Sequence, residues 1–232
     1  MGTGGRLRST LPAMAGRVVA AAGGWALGVA FGAAGRLRRG KPLHPRGVVH
    51  PATFVGGAGA RPRAVPLLDE RHETPCVVRV SRAAGLPAPL PDIHGLALRL
   101  DLPQGQVDLL FATTGTGRVT RYVLRPRRSA RHPMTTLMPL RTPQRALQLG
   151  LAPVRPGEWQ VTAATPRDRR WMPVGRLVAG SGPVGPDPDP PIRFDPVRNV
   201  PAGTATYRWV RLVRDPAYVM ARRWSPARVW RT

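Results

Sequence analysis

From Gly40 onward, apolar and polar positions alternate in short runs that Pro and Gly separate. Successive side chains of a strand point to opposite faces, so this pattern predicts an antiparallel β-domain. The clearest pair of strands is Cys76–Ser81 and Gly95–Leu100, joined by a Gly/Pro-rich connection. In the first, Arg79 and Ser81 share one face, and Cys76, Val78 and Val80 share the other. A buried strand seldom carries Arg and Ser together without a polar partner, so the stretch alone reads as an edge strand with one wet face. Further strands are predicted over Val107–Ala112, Arg118–Leu124, Leu147–Ala152, Trp159–Ala164 and Val174–Ala179. Arg125–Arg131 reads as a basic, solvated crossing, and Gly180–Pro191, GSGPVGPDPDPP, as a long surface connection. Thr206–Trp224 has helical spacing of apolar positions, with Pro216 the one awkward residue. The expected fold is mainly β (α+β): a closed barrel or strongly curled sheet over residues 41–232 with a C-terminal helix, preceded by an N-terminal helical segment, residues 1–40.

That first segment holds the charge-free run Val18–Ala34, flanked by Arg6, Arg8 and Arg17 before it and Arg36, Arg38 and Arg39 after it. Its length approaches the shortest membrane spans, but Ala and Gly supply little transfer energy. A docked or interfacial helix, a transmembrane anchor and a signal peptide are the three readings, and the basic residues after the run disfavour export. Cys76 is the only cysteine, which excludes an intramolecular disulfide framework and any Cys-based zinc cluster. The default compartment is the cytoplasm, with membrane contact through residues 18–34.

Charge changes the picture less than its size suggests. Lys and Arg number 36 against 12 Asp and Glu, a formal +24, yet Lys41 is the only lysine and the arginines run along the whole chain. With abundant Ala, Gly and Pro, this matches the coding bias of a GC-rich genome. No helix-turn-helix, zinc-finger spacing or aromatic–basic interleaving supports specific nucleic-acid binding, whereas non-specific attraction to polyanions at low salt is expected.

Seven segments, in chain order, resemble the haem-dependent catalase superfamily. They are Arg46–His50 (RGVVH), Thr74–Ser81 (TPCVVRVS), Asp92–Leu98 (DIHGLAL), Asp108–Leu110, Pro173–Val178 (PVGRLV), Phe194–Gly203 (FDPVRNVPAG) and Arg214–Tyr218 (RDPAY). The resemblance spans roughly residues 42–223. It implies a catalase-like antiparallel barrel holding haem b and acting on hydrogen peroxide or an organic, lipid-type hydroperoxide. Tyr218 would be the axial ligand to the metal, and Arg214, one helical turn earlier, would favour its phenolate, whose ordinary pKa is about 10. His50 would act as the distal acid–base, Ser81 would fix its ring, and Arg79 and Arg46 would meet the haem propionates.

Each residue also has a plain structural reading: His50 as a satisfied histidine at a strand end, Tyr218 as an amphipathic core residue, Arg79 as a structural arginine. Three departures separate the chain from the family. Ala112 and Thr113 stand where catalases place a distal asparagine, leaving Thr113 as a hydroxyl substitute; Arg46 lies one residue further from His50 than the family's spacing; and the chain is about half a full catalase in length. A non-catalytic catalase-fold binding or structural module is therefore the second expectation. A basic phosphoester hydrolase is a weaker third, because no metal-ligand constellation accompanies the charge.

Overall fold

A computed structural model describes residues 44–57, 59, 63–208 and 210. Nine strands follow one another: β1 (Gly47–Gly56), β2 (Glu73–Arg82), β3 (His94–Leu102), β4 (Gly105–Thr113), β5 (Met134–Thr135), β6 (Leu140–Arg141), β7 (Ala146–Arg155), β8 (Glu158–Ala164) and β9 (Met172–Ala179). A single-turn helix, α1 (Pro66–Asp69), lies between β1 and β2, with Pro at its first position and the Asp69 carboxylate accepting from the Arg63 and Val65 N–H groups.

All pairings are antiparallel, in the order β5-β4-β3-β2-β1-β9-β8-β7-β6. The two-residue β5 also pairs with β7, which closes β1–β5 and β7–β9 into an eight-stranded barrel. Closure removes the exposed edges that an open sheet would present. The period-two pattern sends Phe54, Val78, Leu98, Leu109, Leu149 and Leu177 inward, where each is at most 3% exposed. Each such side chain contributes about 1.5–3 kcal/mol on burial, and together they fill the barrel interior as a core.

The predicted strands over residues 76–81, 95–100, 107–112, 147–152, 159–164 and 174–179 are all present, each extended by one or more residues at one or both ends. Two expectations change. β2 is not an edge: it pairs with β1 on one side and β3 on the other. Arg118–Leu124 is not a strand but a loop around the 3-10 turn Thr120–Tyr122, with only Leu124 bridged, to Thr114. Gly115 lets the chain fold back, its N–H donating to the Thr120 carbonyl (3.0 Å). The alternation is then inverted, with Arg121 fully buried and Val119 74% exposed.

Within the predicted helix Thr206–Trp224, residues 208 and 210 are helical and the stretch from 211 lies outside the described residues. So does the N-terminal segment, residues 1–40. No helix among the described residues is long and apolar enough to cross a membrane.

Candidate functional site

The outer face of β1–β4 carries the polar residues that the sequence singles out. Register places Val49 opposite Arg79 and Gly47 opposite Ser81, while Arg79 faces Ala97 and Arg99 faces Asp108. Gly47 matters here for space: a Cβ would sit 2.7 Å from the Arg79 guanidinium carbon. Residues after β9 form a strap over this face. The Val184 N–H donates to the Val49 carbonyl (2.9 Å), the Val49 N–H to the Pro188 carbonyl (2.8 Å), and Ile192 packs on Val49 and Val77. The connection predicted over residues 180–191 is irregular as expected, but it is fastened to the barrel.

Two ion pairs complete the fastening. Arg79 donates from Nε to Asp189 Oδ1 (2.6 Å) and from Nη2 to Oδ2 (2.9 Å), and the Gly47 N–H donates to the same Oδ2 (2.9 Å). Arg99 makes the same fork on Asp108, 2.8 Å on each arm, and its Nη2 also donates to the Arg193 carbonyl. Asp108 Oδ2 accepts further from the Asp195 N–H and from Asn199 Nδ2, both at 2.7 Å, while Phe194 lies 5.1 Å beneath the Arg99 guanidinium. Each of these two guanidinium forks is thus matched by a carboxylate.

His50 stands elsewhere. It is opposite Val78, an inward-facing residue, so it shares the parity of the barrel interior and not the face of Arg79 and Ser81. Its Nδ1–H donates to the Gly182 carbonyl (3.0 Å), which leaves Nε2 as the basic nitrogen. The structure therefore does not bring His50 and Ser81 together. Ser81 is buried beside β1, and Arg46 is exposed just before β1 begins. Thr113 is fully buried, its hydroxyl donating to the Arg125 carbonyl (2.8 Å) and accepting from the His94 N–H (3.2 Å). Both roles of that hydroxyl are internal. Arg214 and Tyr218 lie outside the described residues.

Sequence reasoning missed Asp189 and Arg99. The second was within reach: a hairpin turning at Pro103 and Gln104 pairs Leu102 with Gly105, which forces Arg99 opposite Asp108. No local signal pairs Arg79 with a residue of a Pro-rich connection 110 positions away.

A cavity of about 30 Å³ lies beside this face, bounded by Asp108, Leu110, Pro196, Val200, Thr206 and Val210 among others. It has room for about one water. Among the described residues no group of three or more His, Cys, Asp or Glu side chains converges.

Of the residues that the resemblance assigns to haem, Arg79 and His50 are not arranged for it, while Arg214 and Tyr218 lie outside the described residues. The Arg79 fork is closed on Asp189, where a propionate would need it open, and His50 is on the other face. No family model matches the chain, and no curated protein matches it.

Proposed function

We propose that the chain is a non-catalytic module on a catalase-like barrel, a structural or binding unit whose outer polar face is closed by its own strap. The double fork of Arg79 on Asp189 carries this reading, because it supplies from within the chain the carboxylate that a bound propionate would otherwise provide. The internal use of the Thr113 hydroxyl and the separation of His50 from Ser81 support it, since peroxide chemistry needs a base and an orienting donor on one face.

The visible spectrum of the full chain tests the proposal. Protein expressed with a haem precursor should show no Soret band, acquire none on haem titration, and leave hydrogen peroxide and organic hydroperoxides unconsumed. A Soret band that disappears in Tyr218→Phe, with peroxide consumption lost in His50→Ala, would replace this reading by the haem peroxidase that the resemblance implies.

A further inference from the structure

The loop 114–133 carries six arginines and no carboxylate, and the loop 165–171 that it meets carries three arginines and Asp168. Their junction is Arg121, fully buried and without an ion pair among the described residues. Its guanidinium donates to the carbonyls of Gly117 (3.1 Å), Thr165 (3.0 Å) and Asp168 (2.5 Å) and lies 4.7 Å over the Trp171 ring. Trp171 Nε1 in turn donates to the Thr116 carbonyl (2.8 Å).

This junction holds up a tip of opposite character. Val119 is 74% exposed, Val123 47% and Tyr122 36%. Part of the tip's backbone is nonetheless paired within the loop. The N–H groups of Arg121, Tyr122 and Val123 donate to the carbonyls of Gly117, Val119 and Thr120 at 3.0–3.1 Å. Gly117 N–H donates to the Thr120 hydroxyl (3.0 Å). In the two loops that meet at Arg121, Arg118, Arg125, Arg128, Arg167, Arg169 and Arg170 are exposed, and none forms an ion pair among the described residues.

We propose that this surface docks on an anionic lipid membrane, with Val119 and Val123 entering the interface and the arginines of the two loops meeting the headgroups. Three observations converge. An aliphatic tip gains free energy only in an apolar medium. Its paired N–H groups lower the penalty of leaving water. The exposed cations of the two loops complement a negative headgroup layer. A nucleic acid would match the charge but leave the two valines without a role, since base stacking needs aromatic faces. These residues are distinct in sequence from the run Val18–Ala34.

The test is co-sedimentation of the full chain with phosphatidylcholine vesicles, with and without phosphatidylserine. Binding contributed by residues 18–34 persists in every variant, so differences between variants report on the loop. Arg125→Gln/Arg128→Gln should lower partitioning onto the phosphatidylserine vesicles about thirtyfold at low salt. Val119→Asp should lower it about tenfold or more, with its thermal melt unchanged. Wild-type partitioning in both variants would overturn the proposal. So would equal binding to the two vesicle types, or duplex-DNA affinity that falls in the Val119→Asp variant while vesicles are ignored.

Discussion

Asp108 is the residue on which most depends. Its two oxygens take four donors, two from Arg99, which the strap covers, and two from the strap itself. Asp108→Ala leaves the buried Arg99 charge uncompensated, and the expected cost is about 3–5 kcal/mol, read as a lower urea midpoint. The pair Arg99→Met/Asp108→Leu removes both charges and should recover most of the loss; failure to recover would mean that the Asp195 and Asn199 contacts, not the ion pair, dominate. Cys76 gives a second reading at this scale. Burial pushes its thiol up to about 12, so almost no thiolate exists at neutral pH. A thiol reagent should leave the native chain unlabelled and react fully in denaturant, and because Cys76 is the only cysteine the labelling rate measures opening of the barrel. Parity within a strand was enough to put Cys76 and Arg79 on opposite faces. The partner of Arg79 was not legible, because parity says which face a side chain occupies and nothing about what crosses that face.

At the scale of elements, the legible part is the set of strands with local apolar alternation, and the misread part is the loop 114–125. Arg-Val-Thr-Arg-Tyr-Val-Leu alternates well enough to suggest a strand, but two glycines before it turn the chain back and three carbonyls capture Arg121. Tertiary hydrogen bonding overrode the local pattern. The two-residue β5 was also invisible, since Met134 and Thr135 are too few to carry a period, yet they close the barrel. The strap makes a prediction of its own. Asp189 receives both arms of Arg79 and the Gly47 N–H, and its side chain remains 21% exposed. Asp189→Ala should weaken the strap by about 1.5–3 kcal/mol, the value of a charge-assisted hydrogen bond. Amide exchange should rise at Val49 and Val184, whose N–H groups bond between strap and β1, and stay slow across β3 and β4. Uniform acceleration in every strand would show that the strap is part of the cooperative core instead of a separate latch.

The whole molecule combines a large positive excess with few carboxylates, 12 against 36 Lys and Arg, and seven of the described ones are used to hold it together. Asp69, Asp92, Asp108, Glu158, Asp168, Asp189 and Asp195 all accept hydrogen bonds or form ion pairs. A hydrogen bond from Arg176, with Arg155 alongside, holds the Glu158 carboxyl below its usual 4.5 despite burial, and the Thr165 N–H does the same for Asp168 below 3.8. Groups depressed on folding stabilise the native state above their ordinary values, and that stabilisation is lost as pH falls through the folded ones. His94 acts in the same direction but higher on the scale: burial lowers it from 6.5, so its stabilisation is complete above that value and fades as acid charges the ring. Acidification therefore removes attraction and adds self-repulsion to a chain already at +24. The urea midpoint should be flat from neutrality to about 9, fall above that as the unfolded chain's Cys76 ionises, and decline on the acid side in two stages, the first below 6.5 and the second below 4.5. His94→Gln should remove the first stage and Glu158→Gln reduce the second, with added salt softening both. A midpoint that instead rises on acidification would overturn this account, because the arginines stay charged throughout and supply no dependence of that sign.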